Sequence, residues 1–192
     1  MKVFKFGGAS IKDVSSIKNI LKIISSYNDE KLVIVVSAMG KTTNALEIVV
    51  HNYFSNKTEL QSSILDVFNF HSEIMMALFK KNDPVFFEIS KSFEKLKSFI
   101  KSNKSPNYSF VYDQIVSVGE LLSSIIIHHF LLNHNINCSL IDARKCIKTD
   151  SKYRGGKVQW DTTNKKVKEF ITDSNINITQ GFIGSDKNNF TV

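Results

Sequence analysis

The chain has 192 residues, 42% of them apolar, enough for one core and short for two. No run approaches the roughly 18 uninterrupted apolar residues that span a bilayer, and the N-terminus lacks an apolar segment with a small-residue cleavage site, so a cytoplasmic protein without a membrane partner is expected. The formal charge of +7 does not point to nucleic acid either: only Arg144 and Arg154 among the 25 basic residues carry a guanidinium fork, the lysines are scattered among acids, and the bias toward Lys, Asn, Ile, Phe and Ser is that of AT-rich coding.

Val3 to Phe6 is a short apolar run that reads as a buried strand. Ile11, Val14, Ile17, Ile20, Leu21 and Ile24 then recur at spacings of three and four, which predicts an amphipathic helix over 11–24. The run KLVIVVSAMG, 31–40, is β-branched and uninterrupted, the pattern of a parallel strand buried on both faces. Strand, helix and strand make a βαβ unit.

From Thr42 to about Asn103 the pattern is helical, with breaks near Ser55 and at Asn82 to Pro84, where proline suits a helix start. The segment SPNYS, 105–109, reads as a loop, and Tyr112 to Asn133 as a helix buried nearly all round. NCSLIDA, 137–143, is a third strand and 146–160 an irregular or hairpin segment. Asp161 to Ser174 reads as a helix, and INITQGFIG, 176–184, as a fourth strand. Cys138 and Cys146 fit neither a redox pair nor half a zinc site, and the five histidines show no metal-ligand spacing; both sets are read as structural.

The chemistry gathers at the strand ends. In KFGGAS, Gly7 and Gly8 at a strand-to-helix turn let backbone N–H groups approach an anion, and Lys5 adds a full positive charge beside it. The pattern is neither a dinucleotide-binding nor a Walker loop. VVSAMGKTTNAL puts Ser37, Gly40, Thr42, Thr43 and Asn44 at the end of the second strand, and VSVGELLS adds one acid, Glu120, inside an apolar helix. Ligands of open α/β sheets bind beyond such strand ends.

KFGGAS at 5–10, VSAMGKTTN at 36–44, VGE at 118–120 and QGFIG at 180–184 together resemble, in order and across nearly the whole chain, the N-terminal lobe of the aspartokinases of the amino-acid kinase family. The resemblance implies a three-layer α/β/α sandwich with a mostly parallel sheet, residues 1–192 being the amino-acid-binding lobe with a helical region at about 42–103. It implies transfer of the ATP γ-phosphoryl group to the side-chain carboxylate of L-aspartate, the first step toward lysine, threonine and methionine, with Mg2+ carried by the nucleotide. By the same resemblance Lys5 is catalytic, Lys5, Phe6, Gly7, Gly8 and Ser37 hold the ATP phosphates, and Thr43, Glu120 and Phe182 contact the amino acid. Glu120 would pair with the substrate ammonium, the partner a carboxylate in an apolar helix needs. Asp142, Arg144, Thr149 and Asp150 stand near the site as second-rank candidates.

Two departures qualify the match. Position 9 is Ala where the family has Thr, and the segment resembling TLGRGGSD that follows GFIG in the family, with its carboxylate-anchoring arginine and lysine-organising aspartate, has no counterpart in 1–192. A separate or missing C-terminal half, or a homo-oligomer, is the expected partner; without one the chain is expected to be inactive and its uncovered sheet flank to favour self-association. A non-catalytic remnant and a sister kinase acting on glutamate, acetylglutamate, carbamate or a nucleotide monophosphate are the competing readings.

Overall fold

The computed structural model describes residues 1–27, 30–171 and 176–192. Strands β1 (Lys2–Phe6), β2 (Leu32–Val36), β3 (Cys138–Ile141) and β4 (Ile176–Gln180) form one sheet in the order β1-β2-β4-β3, every pair parallel. Phe6 stands level with Val36, and Val36 with Gln180, so three carboxyl ends finish on one line.

After β1 the chain makes a short 3-10 turn over Gly8–Ile11 before α1 (Val14–Ser25). The helix predicted from Ile11 therefore starts three residues later, because Asp13 caps it: its Oδ1 accepts the Ser16 N–H at 2.7 Å. Ile11, Ile17, Ile20 and Ile24 are all buried, so the apolar spacing served packing across the turn and the helix alike.

The predicted helical region resolves into α2 (Thr42–Ser55), α3 (Leu60–Leu78) and α4 (Pro84–Ser102), the last with Pro84 in its first turn and Asp83 accepting the Val85 N–H at 3.2 Å. The long apolar helix divides into α5 (Tyr108–Val116) and α6 (Val118–Leu132) at Ser117. It begins inside the expected loop because Asn107 accepts the Phe110 N–H at 3.1 Å and caps it. Tyr108–Leu132 is long and apolar enough to cross a membrane, but 78% of its most apolar window is buried in the fold.

α6 lies on β2, β3 and β4, and α4 packs against α6 while α2 packs against α3 and α5. Leu32, Ile34, Val36, Cys138, Ile176 and Ile178 turn toward this helical side and are buried. The alternate residues Val3, Lys5, Val33, Val35 and Thr179 turn to the other side, where α8 (Trp160–Phe170) contributes Val167. The helix predicted to Ser174 ends at Phe170, and its positions 172–174 lie outside the described residues. Between β3 and α8 a one-turn helix, α7 (Ala143–Cys146), precedes the anticipated hairpin, closed by an antiparallel bridge from Thr149 to Val158. β4 stops at Gln180, so GFIG is a turn rather than strand.

Candidate active site

Lys5, Gly7, Gly8, Ser37, Thr43, Glu120 and Phe182 all line one concavity of about 1300 Å³ that runs along the open face of the sheet and takes in the carboxyl ends of β1, β2 and β4. Phe6 does not: its ring is buried on the helical side, and its carbonyl accepts the Ser37 N–H at 3.1 Å. That bond carries the β1–β2 ladder one step past the strand end.

The two glycines behave differently. Nothing lies within 4 Å of where a Gly7 Cβ would stand, whereas one on Gly8 would meet the Ala38 carbonyl at 2.7 Å and the Gly40 carbonyl at 3.1 Å. Gly8 is required by close approach of two loops, which the Gly40 N–H secures by donating to the Gly8 carbonyl at 3.0 Å. Gly7 leaves open space at the turn, where backbone can face an anion.

α6 supplies a polar stripe at helical spacing, and each member engages a strand end. Glu120 Oε1 accepts the Ala38 N–H at 3.3 Å, the Ser123 hydroxyl donates to the Ser37 carbonyl at 2.6 Å, and Gln180 Nε2 donates to Ser124 Oγ at 2.6 Å. Gln180 Oε1 in turn accepts the Ala143 N–H at 2.8 Å, tying β4 to α7. Glu120 is 6% exposed, and burial pushes its carboxyl up to about 7 although its own N–H and that of Ala38 favour the charged form. Around neutrality this group is poised to ionise when a cation arrives.

Lys5 Nζ lies over the Phe182 ring, 4.5 Å from its centroid. Phe182 is 76% exposed and holds φ 62°, a left-handed conformation that costs a side-chain-bearing residue. The second-rank candidates divide. Asp142 and Arg144 pair with each other at 2.6 and 2.9 Å, and Asp142 caps α7; Asp150 Oδ1 accepts the N–H groups of Lys152 and Lys157 and shapes the hairpin. Thr149 alone lines the concavity, buried, its hydroxyl without a partner among the described residues.

Sequence reasoning passed over Tyr112, Asp113 and Arg154, which line the same space. The signal was present in YRGG, an arginine ahead of a glycine pair in an otherwise lysine-rich chain.

The family model for the amino acid kinase family matches residues 1–192. The chain belongs to the amino acid kinase family. It is 27% identical to a bifunctional aspartokinase/homoserine dehydrogenase of Buchnera aphidicola, over 97% of this chain and 24% of that one. Its fold matches Clostridium acetobutylicum aspartate kinase with TM-score 0.79 at 26% identity, over 100% of this chain and 41% of that one. E. coli aspartokinase III, in complex with aspartate and ADP, superposes with TM-score 0.89 at 22% identity over 100% of this chain and 43% of its own. The chain thus spans well under half of these relatives.

Proposed function

We propose that residues 1–192 form the amino-acid-binding lobe of an aspartate kinase that moves the γ-phosphoryl group of ATP onto the side-chain carboxylate of L-aspartate, in the cytoplasm. The observation that carries the reading is convergence. Lys5, Ser37, Glu120 and Phe182, from four separate segments, line one concavity that takes in the aligned carboxyl ends of three parallel strands. The Buchnera and Clostridium relatives, both aspartokinases by name, support the acceptor.

In this reading a carboxylate oxygen of the acceptor forms a bond to the γ-phosphorus while the bond to the β,γ-bridging oxygen breaks, leaving ADP with the released charge. A carboxylate is already ionised at neutral pH, so no protein base is needed. Lys5 and the backbone at Gly7 and Gly8 offset the charge on the moving phosphoryl group, and Ser37 lies beside them. Glu120, ionised by its partner, would hold the α-ammonium group, with Thr43 at the start of α2 and Phe182 closing over the acceptor. Magnesium is assigned to the nucleotide, supplying charge neutralisation at the phosphates.

The test is ATP-dependent phosphorylation of L-aspartate, trapped as the hydroxamate, by this chain combined with the following part of a relative's catalytic domain. Lys5→Ala should lower the rate by about 100-fold or more. Wild-type rates in that variant would refute the role of Lys5, and a preference for glutamate would reassign the acceptor.

A further inference from the structure

Resting on that reading, we infer that Ser123 is a positioning residue, whose hydroxyl fixes the one peptide unit that joins the phosphate side of the concavity to its amino-acid side. The Ser37 carbonyl and the Ala38 N–H are the two ends of that unit. The Ser123 hydroxyl donates to the first at 2.6 Å, and Glu120 Oε1 accepts from the second at 3.3 Å. Glu120 and Ser123 stand three residues apart on α6, so one helical face grips both ends.

The unit needs this grip because it lies past the sheet. The last ladder bond on this side runs from the Gly181 N–H to the Val36 carbonyl, and the next carbonyl along, that of Ser37, is served by a side chain instead. A buried carbonyl left without a donor is costly. The hydroxyl's in-helix alternative, the Glu120 carbonyl, is farther away at 3.1 Å. α6 comes this close because residue 119 is glycine: a Cβ there would meet the Ala38 Cβ at 2.9 Å and Thr42 Cγ2 at 3.2 Å.

Ser123 is fully buried, so it acts on a ligand through what it holds. The unit carries Ser37, which lines the concavity, and it offers the Ala38 N–H to Glu120. That N–H favours the ionised carboxyl against the burial that opposes it. The titratable groups that share the concavity with Glu120 are Lys5 of β1, Tyr112 and Asp113 of α5, Cys146 of α7 and Arg154 of the hairpin, while α2 turns Thr42 and Leu46 toward this end of α6. None of these groups pairs with Glu120 among the described residues, so the Ala38 N–H is what the carboxylate has until a substrate ammonium arrives. Without the Ser123 hydroxyl the peptide is free to turn, and Glu120 keeps its proton to higher pH.

The test is titration of the 192-residue chain, wild type and Ser123→Ala, with L-aspartate at pH 6 and pH 8.5. Loss of one hydrogen bond to a charged group should move the pH midpoint of binding up by about one unit. Ser123→Ala should therefore bind L-aspartate about tenfold more weakly at pH 6 and within about twofold of wild type at pH 8.5, where Glu120 is ionised in both. Ser123→Cys, similar in volume and a weaker donor, should move the profile the same way by less, and it carries the test if Ser123→Ala does not fold. An unmoved profile in the variants overturns this inference and leaves the aspartate reading intact. An equal loss at both pH values overturns it too, since a structural role would give that result. Failure of the wild-type chain to bind L-aspartate at either pH removes the aspartate reading and this inference with it.

Discussion

The Lys5 ammonium group rests over the Phe182 ring at 4.5 Å, bringing the first strand of the chain against the turn that follows the last. Phe182 packs on little else, being 76% exposed, and it holds φ 62°. Phe182→Gly should therefore leave stability unchanged or raise it by about 1 kcal/mol as the left-handed cost is relieved. Aspartate phosphorylation should fall because the ammonium loses its seat. Thermal melts beside the hydroxamate assay check both; a clear drop in melting temperature would mean that the ring is structural.

The two glycines of the first turn should separate under alanine substitution. Gly8→Ala drives a methyl into the Ala38 carbonyl and should cost roughly 1–3 kcal/mol in denaturant unfolding. Gly7→Ala meets nothing and should fold within about 0.5 kcal/mol of wild type. It should still weaken nucleotide binding, since the methyl enters the space assigned to phosphate. Equal destabilisation by both would show that the turn, and not a ligand, dictates the pair.

Glu120 gives a pH signature with a definite sign. Burial raises its folded value to about 7 from an ordinary 4.5, so the folded protein binds the extra proton between those limits and stability falls as pH rises through them. Glu120→Gln should remove that decline and gain roughly 1–3 kcal/mol at pH 8. Ligand binding should respond oppositely: the substrate ammonium needs the ionised form, so L-aspartate affinity in the wild type should rise from pH 6 to 8 and the variant should lose it. Chemical unfolding and calorimetry at the two pH values test the pair of effects.

His71 predicts an acid limb. It is fully buried in α3, its Nδ1 bonded to the Val67 carbonyl at 2.7 Å and its Nε2 without a partner among the described residues. Burial lowers its value to about 4 from 6.5, so the unfolded chain takes up the proton first and stability is lost as pH falls from about 6.5 toward 4. His71→Gln, which keeps a donor but does not titrate, should flatten that limb. An unchanged slope would place acid sensitivity elsewhere.

What the residues revealed in advance was whatever they encode locally. β2 was legible because LVIVV is uninterrupted and β-branched, and α4 because Asp83 and Pro84 announce a start. The strand-end cluster was legible because glycines and small polar residues there have few other uses. The rest depended on contacts across the chain. Nothing near Ser117 marks the division of α5 from α6, and β4 stops at Gln180 because, after a last ladder bond from the Gly181 N–H to the Val36 carbonyl, Phe182 turns out of the extended conformation. Arg154 escaped notice because its contacts, Tyr112 and Asp113, lie some forty residues earlier. On the open side of the sheet, Val3 of β1 is 65% exposed.

The bond from the Gly40 N–H to the Gly8 carbonyl joins the loop assigned to phosphate to the loop that leads into Thr43. In the proposed reading, main chain thus helps to fix the spacing between the phosphate and amino-acid positions. Because that bond is already made before any ligand arrives, neither substrate would have to bring the two loops together on binding, and the cost of ordering them falls on folding instead.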